Sequence, residues 1–282
     1  MAPAPGMAGR GLGQEATSMY QRYWGLAQSP FQTPQAQQQL AATVPLREAQ
    51  ARVEFVVAQG WPLALVVGPP GSGKSALLAQ CARQTLRQGL WVASLPCAGA
   101  REAELLALVA EALKVPEDNG HGQLTDGWLD LVRRLRELKL ESGRAVLLLD
   151  DLDEAQPDAA HLAARLVAMP DSACTLVVST RPEALGRMPQ RLLEHVWLRI
   201  DLAPLSRDET ARYVQAALAA AGRPEVVFRD DALRRLHELS GGWPRKVDQL
   251  AELSLVAGAS QQLSQIDADT IDAVHQELCV VL

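Results

Sequence analysis

The feature that most constrains this chain is an eight-residue segment that matches the pattern G-x-x-x-x-G-K-[ST] without exception. Its residues are Gly68, Pro69, Pro70, Gly71, Ser72, Gly73, Lys74 and Ser75. An apolar run precedes the segment and an amphipathic helical pattern follows it. Glycines here allow backbone N–H groups to turn inward around phosphate oxygens. The order of strand, loop and helix therefore predicts a phosphate-binding loop.

The last two residues of this loop carry the chemistry of the predicted site. Lys74 is expected to place its positive charge on the β- and γ-phosphates of a nucleotide, and the Ser75 hydroxyl is expected to coordinate Mg²⁺. The positive end of the following helix adds to the attraction for phosphate. The loop thus predicts ATP and Mg²⁺ as cofactors.

A second motif is an apolar strand that ends in two carboxylates, Asp150 and Asp151. In an open parallel sheet, ligands bind at the carboxyl ends of the strands, so acidic groups there are expected to serve a ligand. Asp150 is predicted on the Mg²⁺ side of the site, and Asp151 is predicted to polarise the attacking water. Because an aspartate side chain is short, Asp153 and Glu154 remain alternatives for the second role.

Short apolar runs alternate with helical patterns from residue 63 to residue 204, and helical patterns alone follow. The predicted strands are Leu63–Val67, Leu90–Leu95, Ala145–Leu149, Cys174–Ser179 and Val196–Ile200. This alternation predicts an α/β fold, a three-layer αβα sandwich around a parallel five-stranded sheet, followed by a small all-helical domain. The expected division is a disordered arm at residues 1–18, a nucleotide-binding domain at 19–204 that includes an aromatic-rich opening segment, and a helical lid at 205–282.

Composition narrows the function classes. Hydrophobic residues make up 48% of the chain and charged residues 21%, which is typical of a globular protein with a core. A net charge of −6 argues against whole-surface attraction to DNA or anionic lipid. No apolar run approaches the roughly 20 residues of a membrane-spanning helix, and the four cysteines are scattered without a CxxC pair. We therefore expect a soluble, cytoplasmic protein that does not insert into a membrane.

With both motifs placed, the chain resembles the AAA+ superfamily of P-loop ATPases. Within it, the chain is similar to the ExeA/GspA-like ATPases of the general secretion pathway and to their MuB/TnsC-type transposition relatives. The opening segment carries this resemblance in MY at 19–20, YWGL at 23–26 and SPF at 29–31. LSRDET at 205–210 and LSGGWPR at 239–245 are similar to the lid of that branch.

The resemblance implies further roles for individual residues. Ser179 or Thr180, at the end of a strand, is implied as the polar residue that senses the γ-phosphate. Arg245 is implied as the lid arginine that reaches the γ-phosphate when ATP–Mg²⁺ binds. Assembly of subunits implies an arginine that acts in trans, for which Arg187 and Arg191 are candidates and Arg191 is preferred. The opening aromatic residues are implied in the adenine pocket, in a hinge, or in core packing, the last above all for Trp24.

The function predicted first is an ATPase that forms a homo-oligomeric ring or filament and couples its nucleotide state to a protein partner of a secretion or related assembly system. One alternative is a DNA-associated regulator of the transposition kind. Its DNA contact would be a basic stripe of Arg133, Arg134, Arg136 and Lys139, although the acidic charge does not favour DNA. Another alternative is a nucleotide switch without hydrolysis, because Asp151 is short.

Overall fold

The computed structural model describes residues 19–115, 124–170 and 173–279. The arm predicted for residues 1–18 lies outside these residues. The chain forms two compact units. One is an α/β unit, Pro45–Ala203, and the other is a helical unit that combines residues 19–44 with residues 204–279.

The α/β unit is built on one parallel sheet of five strands. The strands are β1 (Leu63–Val67), β2 (Trp91–Pro96), β3 (Ala145–Asp150), β4 (Cys174–Thr180) and β5 (Val196–Asp201). Their order across the sheet is β2-β3-β4-β1-β5, and every neighbouring pair is parallel. Each strand lies within one residue of its predicted ends, so the predicted sheet is confirmed. The order brings the ends of β3, β4 and β1 side by side, which is where both motifs lie.

Helices cover both faces of this sheet. The first two helices of the chain, α1 (residues 19–24) and α2 (Pro34–Ala41), are not among them, because they belong to the helical unit. The helices of the α/β unit are α3 (Val44–Gln59), α4 (Lys74–Arg87), α5 (Glu102–Ala112), α6 (Leu124–Leu140), α7 (Pro157–Val167) and α8 (Gln190–Leu193), with 3-10 turns η1 (Leu152–Glu154) and η2 (Pro182–Arg187). In the described ranges, no helix combines the length and the apolar character needed to cross a bilayer.

Alternation of side chains along the strands explains the three layers. Successive side chains of a strand point to opposite faces of the sheet. Each strand therefore contributes residues to two hydrophobic cores, one on each face. Leu147 and Leu149 of β3 pack into the core that includes residues of α5, α6 and α7. Val146 and Leu148 of the same strand pack into the other core, with residues of α3 and α4. The expected αβα sandwich is therefore present.

The helical unit contains four long helices in its C-terminal part. They are α9 (Arg207–Ala220), α10 (Asp230–Ser240), α11 (Pro244–Ser260) and α12 (Ala268–Cys279). A reciprocal pair of side-chain caps by Ser206 and Glu209 begins α9. The turn between α10 and α11 requires glycine at Gly242, since a Cβ atom there would lie 2.2 Å from the carbonyl oxygen of Leu205. The GGWPR motif thus fixes how α11 begins.

The aromatic opening segment packs in the helical unit, which differs from the expected division at residue 205. Tyr20, Trp24 and Phe31 are buried there. The Trp24 indole donates a hydrogen bond to the Leu255 carbonyl oxygen (2.8 Å), and its ring lies so near Gly258 that a Cβ atom there would be 2.9 Å away. Large rings need an apolar surface with a polar group for the indole N–H, and α11 provides both. Trp24 is accordingly a core residue, one of the three roles considered for it.

Candidate functional site

The predicted phosphate loop connects β1 to α4 and has a backbone that only glycine suits at several positions. Gly71 (φ 79°) and Gly73 (φ 100°) have left-handed backbone angles. A Cβ atom on Gly68 would lie 2.4 Å from the Ser72 hydroxyl oxygen. The N–H of Gly68 donates to the Thr180 carbonyl oxygen (3.1 Å), which anchors the loop to the end of β4. The glycines of the motif are thus explained by local geometry.

Lys74 lies across this loop and is almost fully buried, with 6% of its surface exposed. Its ammonium group donates a hydrogen bond to the Gly68 carbonyl oxygen (3.1 Å). The same group lies 3.4 Å from a carboxylate oxygen of Asp151. The cation of the first motif and a carboxylate of the second therefore form an ion pair, although 77 residues separate them (151 − 74).

Ser179 joins the two acidic residues at the end of β3. Its hydroxyl group donates to an Asp150 carboxylate oxygen (2.5 Å) and accepts a hydrogen bond from the Asp151 N–H (2.8 Å). Neighbouring strands make this possible, because β3 and β4 pair in parallel and end together. Thr180 points its hydroxyl group elsewhere and donates to the Arg181 carbonyl oxygen (3.3 Å). Of the two alternatives for the polar residue at this strand end, Ser179 is the one that contacts the acidic motif.

Asp151 has an unfavourable backbone conformation, and its carboxylate lies near charges of both signs. Its backbone is left-handed (φ 49°, ψ 48°), which is uncommon for a residue other than glycine. Burial, followed by the negative charge of Asp150, raises the pKa of the Asp151 carboxyl above its ordinary value. Lys74 opposes this change because its positive charge favours the ionised form. Asp151 is thus a carboxylate whose protonation is sensitive to its neighbours.

The alternative acidic residues, Asp153 and Glu154, form ion pairs with Arg181, which was not among the predicted site residues. The Arg181 guanidinium lies 2.6 Å from Asp153 and 3.2 Å from Glu154. The Asp153 side chain is only 1% exposed. In this structure, Asp151 is the acidic residue of the turn that reaches Lys74. The sequence signal for Arg181 was its place directly after β4, one residue beyond Thr180.

The residues present fit a magnesium–nucleotide complex. The Ser72 hydroxyl oxygen is buried and, among the described residues, has no hydrogen-bond partner. A phosphate oxygen is the kind of group that such an orphaned hydroxyl accommodates. Ser75 is exposed at the start of α4, and Asp150 is half-buried at the end of β3. Hydroxyl and carboxylate oxygens are the ligands that Mg²⁺ prefers, so these two residues are the candidates to hold it.

Three arginines were predicted to have a role in the site, and each of them is exposed. Arg191 is exposed on α8 of the α/β unit, and Arg187 is exposed at the end of η2. Arg245 is exposed in the first turn of α11, in the helical unit. Among the described residues, no acidic group is within ion-pair distance of Arg191 or Arg245. Their predicted roles therefore stay predictions.

Two of the four basic residues in the stripe proposed for DNA contact, Arg133 and Arg134, form ion pairs with acidic side chains of their own helix, α6. Arg133 lies 3.2 Å from Asp130. Arg134 lies 3.5 Å from Glu137 and also donates to the Leu113 carbonyl oxygen (3.2 Å). These two arginines would have to exchange their acidic partners for phosphates in order to bind DNA. The stripe does not favour the DNA-associated alternative.

Comparisons with known proteins bear on the family and the fold of this chain. The AAA ATPase domain family matches residues 44–179. General secretion pathway protein A of Aeromonas hydrophila is 28% identical over 247 residues, which is 85% of this chain and 45% of that protein. This chain thus spans less than half the length of that relative.

Solved structures with a similar fold include Cdc6p from Pyrobaculum aerophilum, at 17% identity and a TM-score of 0.64, with 87% of this chain and 68% of that chain covered. The Aeropyrum pernix ORC1 protein in complex with DNA is similar at 17% identity and a TM-score of 0.61, with 82% and 65% covered. The Thermotoga maritima RuvB Holliday junction branch migration motor follows at 14% identity and 0.56, with 82% and 67% covered. These matches confirm the predicted resemblance: residues 44–179 match the AAA ATPase domain family, the chain has the P-loop AAA+ fold, and it is similar to general secretion pathway protein A.

Proposed function

We propose that this chain binds ATP with Mg²⁺ at the phosphate loop and hydrolyses it. The observation that carries the proposal is the Ser179 bridge between Asp150 and Asp151, with Asp151 in turn paired to Lys74. This arrangement brings the cation of the loop and two carboxylates with different surroundings to one end of the sheet. Such an arrangement suits phosphoryl transfer, in which positioning and electrostatic stabilisation supply most of the catalysis.

Each residue has a distinct task in the proposed reaction. Lys74 exchanges its partner Asp151 for the more strongly charged phosphates, which leaves Asp151 free to accept a proton from water. Ser75 and Asp150 would hold Mg²⁺, which would neutralise phosphate charge when bound. Ser179 fixes the Asp150 carboxylate relative to the Asp151 backbone, because it donates to the first and accepts the N–H of the second. Arg245 is the candidate for a further contact with the γ-phosphate.

The partner-dependent part of the proposal rests on similarity. We propose that the chain assembles as a homo-oligomer and couples its nucleotide state to a protein partner of a secretion or related assembly system, in the cytoplasm. The support is the 28% identity to general secretion pathway protein A across most of this chain. The ORC1 complex with DNA is similar at only 17% identity, which carries no inference about ligands.

The test is a steady-state ATPase assay on the full chain, combined with nucleotide-binding titrations of Mg-ATP and Mg-ADP. Lys74→Ala is expected to weaken binding by roughly 10- to 100-fold, since a hydrogen bond to a charged group is worth about 1.5–3 kcal/mol. Asp151→Asn is expected to keep binding and to lower kcat by about 100-fold or more, the typical contribution of a general base.

Lys114→Asn is the matched control, because it removes one lysine charge from an exposed position of the same unit. It is expected to leave both binding and turnover unchanged. Unchanged nucleotide affinity in Lys74→Ala contradicts the proposed site. Tight ATP binding without turnover in the unaltered chain supports the switch that does not hydrolyse.

A further inference from the structure

Arg181 connects the end of β4 to the turn that carries the acidic motif. It is the first residue after β4, and its guanidinium reaches back to η1, which follows directly on Asp151. One nitrogen donates to an Asp153 carboxylate oxygen (2.6 Å), and a second lies 3.2 Å from a Glu154 carboxylate oxygen. One planar guanidinium thus holds two of the three residues of η1.

The Asp153 side chain is buried, so its ion pair with Arg181 matters for the stability of the turn. The Asp153 side chain is 1% exposed, and its second carboxylate oxygen is buried without a hydrogen-bond partner among the described residues. The positive charge that compensates this carboxylate is Arg181, which is itself 27% exposed. A buried carboxylate that loses the cation paired with it is strongly unfavourable, so η1 is expected to rearrange without Arg181.

Such a rearrangement would act on Asp151. The Glu154 N–H donates to the Asp151 carbonyl oxygen (3.0 Å), so η1 and Asp151 form one closed turn. The left-handed backbone of Asp151 is unfavourable for a residue with a side chain and needs support from its surroundings. That support comes from the end of β4 at two points, Ser179 on one side of the turn and Arg181 on the other.

We infer that Arg181 is a positioning residue for ATP hydrolysis: through Asp153 and Glu154 it holds η1 in the conformation that directs Asp151 toward Lys74. The inference rests on the proposed function. Arg181 acts through the two acidic side chains and does not contact the nucleotide itself. Its removal is therefore expected to affect the catalytic step rather than nucleotide binding.

The experiment compares Arg181→Met, Arg181→Lys and Asp153→Asn in the full chain, by kcat, by the affinities for Mg-ATP and Mg-ADP, and by thermal midpoint. Arg181→Met is expected to lower kcat roughly tenfold or more, since misplacing catalytic groups by about 1 Å costs up to about 100-fold. Both nucleotide affinities are expected to stay unchanged. Arg181→Lys is expected to lose less, because an ammonium keeps the charge but cannot bridge both carboxylates in the same geometry.

Two further variants distinguish positioning from a general loss of structure. Arg199→Met is the matched control, because Arg199 forms an ion pair of the same length (2.6 Å) with Asp201 and both residues are exposed on β5. It is expected to leave kcat unchanged. In Arg181→Met combined with Asp153→Asn, the loss is expected to be smaller than the sum of the two single losses, because both residues belong to one ion pair.

Three results overturn the inference. The first is an unchanged kcat in Arg181→Met, and the second is full additivity in the double variant. The third is a loss of affinity for Mg-ATP but not for Mg-ADP, which means that Arg181 contacts the γ-phosphate directly. If Arg181→Met fails to fold, Arg181→Lys gives the same comparisons. Absence of turnover in the unaltered chain contradicts the proposed function, whereas turnover that survives Arg181→Met contradicts only this inference.

Discussion

At the scale of single residues, one hydroxyl group organises the acidic end of the sheet. Ser179 is fully buried and uses its single proton on Asp150, while its oxygen accepts the Asp151 N–H. A hydroxyl group is the smallest side-chain group that can donate and accept at the same time. A residue of this type at this position therefore ties the Asp150 carboxylate to the backbone of Asp151.

Replacement of this hydroxyl group is a direct test of its role. Ser179→Ala is expected to lower kcat by roughly tenfold or more, because the part-buried Asp151 N–H loses its acceptor at a cost of about 1–3 kcal/mol and the Asp150 carboxylate loses its hydrogen-bond donor. Thr180→Val, which removes a hydroxyl group one residue away, is expected to have a smaller effect. Steady-state kinetics of both variants give the comparison, and equal losses would contradict the assignment of Ser179.

The environment of Asp151 predicts how hydrolysis depends on pH. Burial and the charge of Asp150 raise its pKa, and only the ionised carboxylate can accept a proton from water. Activity is therefore expected to fall with decreasing pH, starting above the range in which an ordinary exposed aspartate titrates. A profile of kcat/KM against pH measures this acid limb, and a profile that is flat down to the ordinary aspartate range would contradict it.

At the scale of elements, α11 carries both a predicted site residue and an acidic pair, of which Asp248 is half-buried and Glu252 is buried. Arg245 lies in its first turn, and Asp248 and Glu252 follow at a spacing of one helical turn. The Tyr213 hydroxyl donates to Asp248 (2.7 Å), and the Tyr20 hydroxyl donates to Glu252. The helix is thus tied by tyrosine hydroxyl groups to α9 and to α1.

This acidic pair makes the stability of the helical unit depend on pH. Burial raises the pKa of Asp248 to about 7, so the folded chain binds a proton that the unfolded chain releases between pH 4 and 7. The free energy of unfolding is therefore expected to decrease as pH rises through that window. Each unit of pKa difference corresponds to about 1.4 kcal/mol, which makes the expected decrease a few kcal/mol.

Asp248→Asn tests this dependence, since an amide does not titrate. Urea unfolding at several pH values between 5 and 8 is expected to show a shallower decrease for the variant than for the unaltered chain. Asp208→Asn, which changes an exposed carboxylate of the same unit, is the control and is expected to keep the original slope. An identical slope in Asp248→Asn would show that Asp248 does not titrate in this window.

At the scale of the whole molecule, the proposed assembly depends on contacts between several copies of the chain. Arg191 is exposed and, within the described ranges, its guanidinium has no acidic partner, so it is available to act on another subunit. We expect larger species in the presence of ATP than with ADP or without nucleotide. Mass photometry under these three conditions, repeated with duplex DNA, measures the change.

Arg191→Ala is expected to lower the turnover of the assembled form and to leave nucleotide binding by the single chain intact. Arg187→Ala is its matched comparison on the preceding turn. Assembly that requires DNA would favour the DNA-associated alternative, and a monomer under every condition would contradict a trans-acting arginine.

The sequence by itself determined the elements and the chemistry of the phosphate loop. Two features could be predicted because their signals are local. The loop from Gly68 to Ser75 has glycines where the backbone turns sharply, and the strand that ends at Asp150 is an apolar run because it is buried on both faces. Helix α2 was not predicted, because its glutamine-rich sequence lacks a clear apolar face. Its start at Pro34 after the Thr33 cap was the available signal.

Only the tertiary structure decided which side chains meet. Ser179 reaches its acidic partners across 28 and 29 residues, and Tyr20 reaches Glu252 across 232. The pairing of Arg181 with Asp153 likewise spans 28 residues. Periodicity along the chain reports which face of an element is buried, but not which element packs against it. Strand order and helix packing decide that, because they bring together groups for which sequence spacing carries no signal.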